Sequence, residues 1–203
     1  MKNDSAVFRR HREALARRLS DGLIVLSGAV PVPRNFDVEY PFRQGSHFLY
    51  LSGVQDAGCH LMIDPRRGEE ILFIPRIDNN HRVWLGHVPD AAESKRLYGF
   101  DRVLYADEAP AALRRARKGY KRLYADSAAT SRFRSELSGL APRRARLQDC
   151  LEDLRAVKSP GELALMKRAG EVSSRAHREV MKKTRPGMRE YEVQAVFEAA
   201  CLR

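Results

Sequence analysis

The stretch "DNNHRVWLGHVPD" holds the densest set of side chains that could do chemistry: Asp78, His81, His87 and Asp90. Two imidazoles and two carboxylates suit zinc or a similar cation if the loop folds back on itself. The spacing lacks a tight pattern such as HExxH, which sets two histidines on one helix face. A hydrogen-bonded loop with solvated histidines is the plainer reading. His177, beside Arg175 and Arg178, reads as a surface residue. Six histidines allow many Ser/His/Asp or Cys/His combinations on paper, but no G-x-S-x-G nucleophile elbow supports one. The glycines of "SGAVPVP" and "LSGVQDAG" lack the spacing of a dinucleotide or P-loop motif. No catalytic residue is assigned on this basis.

The three cysteines, Cys59, Cys150 and Cys201, are odd in number, widely spaced and set in apolar surroundings. They read as buried free thiols in a reducing compartment, which points to the cytoplasm. The start, "MKNDSAVFRRHREALARRL", has no apolar run suited to a signal peptide. No window approaches the roughly 18 apolar residues of a membrane span, so a soluble chain without a membrane partner is expected.

The net charge of +11 is unevenly spread. Residues 109–155 carry 12 Lys/Arg against 5 Asp/Glu. "ALRRARKGYKRLY" and "APRRARLQDC", with Arg114, Arg115, Arg143 and Arg144, could form a basic face for an acidic protein partner. Arginine outnumbers lysine 29 to 8 throughout the chain, and aromatics are sparse among the basic residues. Neither feature favours nucleic acid as a partner.

A length of 203 residues suits one large domain, or one ordinary domain and part of another. Residues 5–19 read as a helix with Phe8, Leu15 and Leu19 on its apolar stripe and Arg and Glu on the other face. "GLIVLSGA" reads as a buried strand, "VPVPRNFDVEYPF" as an extended loop, and "HFLYLSGV" as a second strand ending at Gly53. In "CHLMIDPRRGEEILFIPR" two apolar runs flank a Pro- and Gly-containing turn, which predicts a hairpin. "DAAESKRLYGF" reads as helix, "RVLYA" as strand, "PAALRRARKGY" as helix and "RLYADS" as strand. "SRFRSELSGL" reads as a further helix, and "ARLQDCLEDLRAV" as strand turning into helix. Hairpins mixed with strand–helix alternation predict an α/β domain with a mixed β-sheet flanked by helices.

In "KSPGELALM", Ser159, Pro160 and Glu162 form a capping box with proline in the first helical turn. The helix that follows aligns Leu165, Met166, Ala169, Val172, Ala176 and Val180, and "TRPGM" separates it from a second amphipathic helix. The domains expected are therefore 1–156 and 157–203.

The order of motifs resembles a known family. "YPFRQGSHFLYLSGV" resembles the FRQ-x-S-x-F-x-YLTG segment in the N-terminal domain of the creatinase, prolidase and aminopeptidase P family. "RVWLGHVPDAAESKRLYGFDRV" is similar to its W-x-G segment, helix and G-[FV]-D turn. "LRAVKSPGELALMKRAGEVSSRAH" and "TRPGMREYEVQAVFE" are similar to the linker and first two helices of its pita-bread metallopeptidase domain. Gly45 and His47 depart from the pattern, since acidic residues often stand there.

The resemblance implies a ribonuclease H-like N-terminal domain, followed by an incomplete pita-bread domain that ends before the metal-binding strands. It also implies an Xaa-Pro aminopeptidase or dipeptidase, a homodimer, and two divalent metals, commonly manganese. Such metals would activate water against the bond before proline. No metal ligand carries over to this chain, so the chain alone is expected to be inactive. Trp84, the only tryptophan, matches the W-x-G position. There the resemblance implies an indole reaching toward a neighbouring subunit's substrate pocket; the alternative is an anchor in the domain's own core or in a dimer contact. Arg43 and Gln44 are expected to hold the loop before the second strand. The same fold pair also occurs as a non-catalytic interaction module, the alternative function.

Overall fold

Alternation with period two runs through every central strand and fixes how the first unit is layered. The computed structural model describes residues 5–78, 83–84 and 86–203. Strands β1 (Leu23–Ser27), β4 (His60–Asp64), β5 (Glu69–Ile74), β6 (Arg102–Tyr105) and β7 (Leu123–Ala125) form one sheet in the order β6-β5-β4-β1-β7. β1 pairs antiparallel with β4, and β4 antiparallel with β5. The outer pairs, β1 with β7 and β5 with β6, are parallel, so the sheet is mixed as expected.

Ile24, Leu26, Leu61, Ile63, Leu72 and Ile74 point to one face. They pack on Leu15 of α1 (Ser5–Arg18), on Phe48 and Leu51 of α2 (Ser46–Ser52), and on Leu147, Cys150 and Leu151 of α6 (Arg144–Ala156). Leu23, Val25, Met62, Ile71 and Phe73 point to the other face. There they meet Ala112, Leu113 and Ala116 of α4 (Ala109–Arg117), Ala129 of α5 (Ser127–Arg132), and Phe133. Each fully buried large side chain contributes about 1.5–3 kcal/mol by leaving water.

The hairpin forms as its sequence predicts. Gly68 takes φ 62° in the turn, and the buried Asp64 carboxylate accepts from Arg67 N (3.1 Å), Arg67 Nη1 (2.7 Å) and Tyr120 Oη (2.6 Å). Burial pushes the Asp64 carboxyl up, but these hydrogen bonds outweigh it and hold it below the usual range.

Four local expectations are corrected. "HFLYLSGV" is a helix, not a strand: Phe48, Leu51 and Ser52 face the core together, which a strand cannot arrange, and Gly53 at φ 71° ends the helix. The Pro-punctuated loop contains a small ribbon, β2 (Pro33–Asn35) against β3 (Val38–Glu39). The helix expected over residues 131–140 instead occupies 127–132, because the Asp126 carboxylate accepts from Ala129 N (2.6 Å) and starts it earlier. The strand expected before α6 shrinks to one bridge between Pro142 and Leu123, with Arg143 N donating to Leu123 O (2.9 Å).

Two burial expectations are also corrected. Arg12 is fully buried on the stripe of α1 that carries Leu15, rather than on its polar face. Cys59 and Cys150 are buried free thiols, but Cys201 is exposed.

A second compact unit, Arg155–Arg203, contains α7 (Pro160–Lys183) and α8 (Glu190–Leu202). The capping box forms: Glu162 N donates to Ser159 Oγ (3.3 Å) and Ser159 N to Glu162 Oε2 (2.9 Å). The helices meet around the buried Ala176, with the His177 ring edge-on to Phe197 at 4.9 Å. Leu163, Leu165, Met166 and Tyr191 remain exposed. Among the described residues no helix is long and apolar enough to cross a membrane.

Candidate functional site

The segment around Gln44 ties together the parts that carry the family motifs. Gln44 is buried just before α2, and its Oε1 accepts from Ala29 N (2.7 Å) and Gly45 N (2.9 Å). Its Nε2 donates to Asp56 O (2.9 Å). Asp56 Oδ2 in turn accepts from Tyr98 Oη (3.1 Å), at the end of α3 (Ala91–Tyr98). Burial, then the Asp56 carboxylate, push the Tyr98 phenol well up, so it remains a hydrogen-bond donor. One amide side chain thus joins the end of β1, the start of α2 and, through Asp56, the helix following Trp84. The expected loop-holding role therefore falls to Gln44; Arg43 is exposed.

Trp84 is 86 % exposed, and Val83 beside it is 80 % exposed. Trp84 therefore does not anchor the domain's own core. Phe36 and Tyr40, at the β2–β3 ribbon, are 96 % and 54 % exposed. A two-stranded ribbon has little stability of its own in water.

The four-residue cluster suggested by the sequence takes other roles. Asp90 caps α3, accepting from Glu93 N at 2.8 Å. His87 Nε2 lies 2.8 Å from Glu93 Oε2. Asp78 also has a partner, and His81 lies outside the described residues. Among the described residues no three His, Cys, Asp or Glu side chains stand where they could hold a metal ion. The donors among the described residues do not fit a dinuclear centre.

A different constellation escaped the sequence reading. At the carboxyl ends of β1 and β7, His60 Nδ1 lies 2.9 Å from Ser27 Oγ, while the Asp126 carboxylate accepts from Ser27 N (3.1 Å). Burial, then the charge of Arg132, push the His60 imidazole down to about 4. Burial raises Asp126. Asp126 caps α5 instead of orienting the imidazole, and His60 sets its ring edge-on to Phe133 at 4.9 Å. Serine, imidazole and carboxylate are neighbours without the relay a nucleophile needs.

Arg12 was missed as well. Its Nε meets Glu70 Oε2 at 2.5 Å, Nη1 donates to Leu51 O (3.0 Å), and the guanidinium lies 3.9 Å from the Phe100 ring centroid. Burial lowers its pKa despite the opposing effect of Glu70. The available signal was an arginine four residues from Phe8 and three from Leu15, on the apolar stripe.

A mixed sheet with helices on both faces defines the class of the first unit as an α/β domain, and a helical unit follows it in the chain. Family comparison makes this specific. The aminopeptidase P N-terminal domain model matches residues 8–124, and the metallopeptidase family M24 model matches residues 164–203. The chain belongs to the aminopeptidase P N-terminal domain family.

Xaa-Pro dipeptidase of Homo sapiens is 31 % identical over 99 % of this chain and 44 % of its own length. Zinc-substituted aminopeptidase P of Escherichia coli, solved with product, superposes with a TM-score of 0.85 at 27 % identity. That match covers 98 % of this chain and 50 % of that one. Proline aminopeptidase P II of Yersinia pestis gives 0.85 at 26 % identity, over the same shares of the two chains. The chain spans about half the length of the relatives it matches.

Proposed function

We propose that this chain supplies the N-terminal domain, residues 1–156, and the opening helices, residues 157–203, of an enzyme that hydrolyses the bond before proline. The observation that carries the proposal is the succession of the two family matches along one chain, N-terminal domain first and metallopeptidase second. Separation into the compact units Met1–Leu154 and Arg155–Arg203 supports the division. The catalytic metals, two divalent ions of which manganese is the commonest, belong to the metallopeptidase part. The residues described here contribute assembly and gating.

In this reading the protein is a homodimer and Trp84 is a substrate-proximal contact. The exposed indole supplies an apolar wall suited to a proline ring, which offers no N–H to satisfy. Three free cysteines support a cytoplasmic location.

The test is to isolate the native protein from its source cells, weigh it intact, and assay it with manganese on Xaa-Pro and Xaa-Ala dipeptides and longer peptides. A mass near twice that of this chain, with cleavage only before proline, is expected. A metal-loaded protein of that size that cleaves no Xaa-Pro peptide would refute the proposal.

A further inference from the structure

Four arginines from three separate segments of the first unit come together at one place on its surface. Arg18 closes the last turn of α1, Arg122 precedes β7, and Arg143 and Arg146 flank the start of α6. They line one cleft of about 490 Å3, together with Asp21 and Tyr124. Asp21 is already engaged: it accepts from Tyr124 Oη (2.8 Å) and pairs with Arg122. Arg18 reaches Asp153 only at 3.4 Å, with the two side chains 43 % and 72 % exposed. Arg143 and Arg146 are exposed, and among the described residues no ion pair to a carboxylate is seen for either.

The setting makes this concentration of charge costly. The first turn of α6 contains no acidic residue and instead carries Arg144 and Arg146, directly after Arg143. Cations at a helix amino end oppose its dipole. The basic face suggested by the sequence is divided differently in space. Arg114 is taken by Glu136 at 3.2 Å, Arg117 donates to Glu136 O (3.0 Å), and Arg115 lines a different cleft beside Glu69, Glu70 and Asp101.

We propose that this cleft is a binding site for a phosphate-bearing small molecule. A planar carboxylate satisfies one guanidinium fork; a tetrahedral, doubly charged phosphate presents oxygens to several forks arriving from different elements. Here they arrive from the end of α1, from the residue before β7 and from the start of α6. A phosphate also supplies the negative charge that the α6 amino end lacks. The volume admits a diphosphate or a nucleotide, falling within the range of small-ligand sites.

The test is calorimetric titration of the 203-residue chain with pyrophosphate and with adenosine diphosphate. Chloride holds the ionic strength at about 0.15 M, so that unspecific attraction is screened. Saturable binding of either compound is expected, weakened at least about tenfold in the double variant R143A/R146A through loss of charge-assisted hydrogen bonds. The exposed Arg134, outside the cleft, gives the control variant R134A, which should bind as the parent does. Equal affinities for the two compounds would identify recognition of the phosphates alone; tighter binding of the nucleotide would identify a nucleotide source. Undiminished binding in R143A/R146A overturns the proposal, as does absence of saturable binding. A hexaglutamate peptide that binds while neither phosphate compound does would reassign the surface to an acidic polypeptide. Circular dichroism verifies that the variants fold, as expected for substitutions at two exposed side chains.

Discussion

Arg12 Nε lies 2.5 Å from Glu70 Oε2, joining α1 to β5 through a guanidinium with no solvent exposure. The same side chain bonds Leu51 O and Gly99 O and stacks on Phe100, so four separate segments depend on it. Removing Glu70 leaves a buried charge without its counterion, the costly half of a broken buried pair. E70A is expected to lose about 3–5 kcal/mol of unfolding free energy, and R12M less, because methionine fills the space without carrying charge. Urea unfolding of both variants checks the order; an E70A loss smaller than that of R12M would contradict it.

Gln44 makes a comparable link with a neutral side chain. Q44L removes the acceptor of Ala29 N and Gly45 N; Gly45 is exposed and can turn to water, so a loss of about 1–3 kcal/mol in total is expected. Amide exchange at Ala29 and Gly45 should accelerate in Q44L, whose side chain offers no acceptor. Q44E should protect both amides better than Q44L while still losing the bond to Asp56 O. Unchanged exchange in Q44L would remove the linking role.

Gly53 gives a paired prediction about α2. At φ 71° an added Cβ would approach the Phe8 ring to 2.4 Å, whereas Gly58, at φ 69°, has nothing within 4 Å. Both alanine variants carry the left-handed penalty, about 1–2 kcal/mol. G53A should therefore cost distinctly more than G58A in chemical denaturation. Equal losses would mean that Phe8 moves aside freely.

His60 predicts an acid-sensitive stability. Its imidazole faces the Ser27 hydroxyl, the Phe133 ring and the charge of Arg132. The unfolded chain takes up a proton below about pH 6.5, while the folded chain resists until about 4. The stabilisation present above pH 6.5 is therefore lost as pH falls toward 4, by up to roughly 3 kcal/mol. H60Q should flatten this part of the stability–pH curve, as measured by urea midpoints between pH 7 and pH 5. A slope identical to that of the parent would exclude His60 as its source.

Trp84 separates folding from assembly. With its side chain in solvent, W84A should leave unfolding free energy within about 0.5 kcal/mol of the parent. Under the dimer proposal it should weaken self-association in sedimentation equilibrium. Unaltered association would place the contact elsewhere.

Sequence patterns were legible where local chemistry alone decides structure. Pro65 and Gly68 announce the hairpin, and Ser159 with Glu162 announces the start of α7. Reading failed where a short apolar run fits either period. "HFLYLSGV" becomes helical because α1 and the sheet bury Phe48 and Leu51 together, a preference that is tertiary rather than local. Arg12 was hidden by the ordinary assumption that arginine faces water; its partners lie 39 to 87 residues away. The Gln44 linkage was visible only as a motif, since its partners are backbone groups and any sequence supplies those. The candidate metal cluster failed because Asp90 and His87 are occupied locally, by the start of α3 and by Glu93.

The single bridge between Leu123 and Pro142 has a consequence for solubility. β7 is an edge strand, and open edges invite another chain to add to the sheet. Here Arg143 N takes Leu123 O, and the residue set beside Leu123 is a proline, which has no N–H to offer an incoming strand. Positive charges follow at Arg143, Arg144 and Arg146. One short segment thus blocks sheet extension at this edge and repels like-charged copies, protecting the fold against strand-by-strand aggregation.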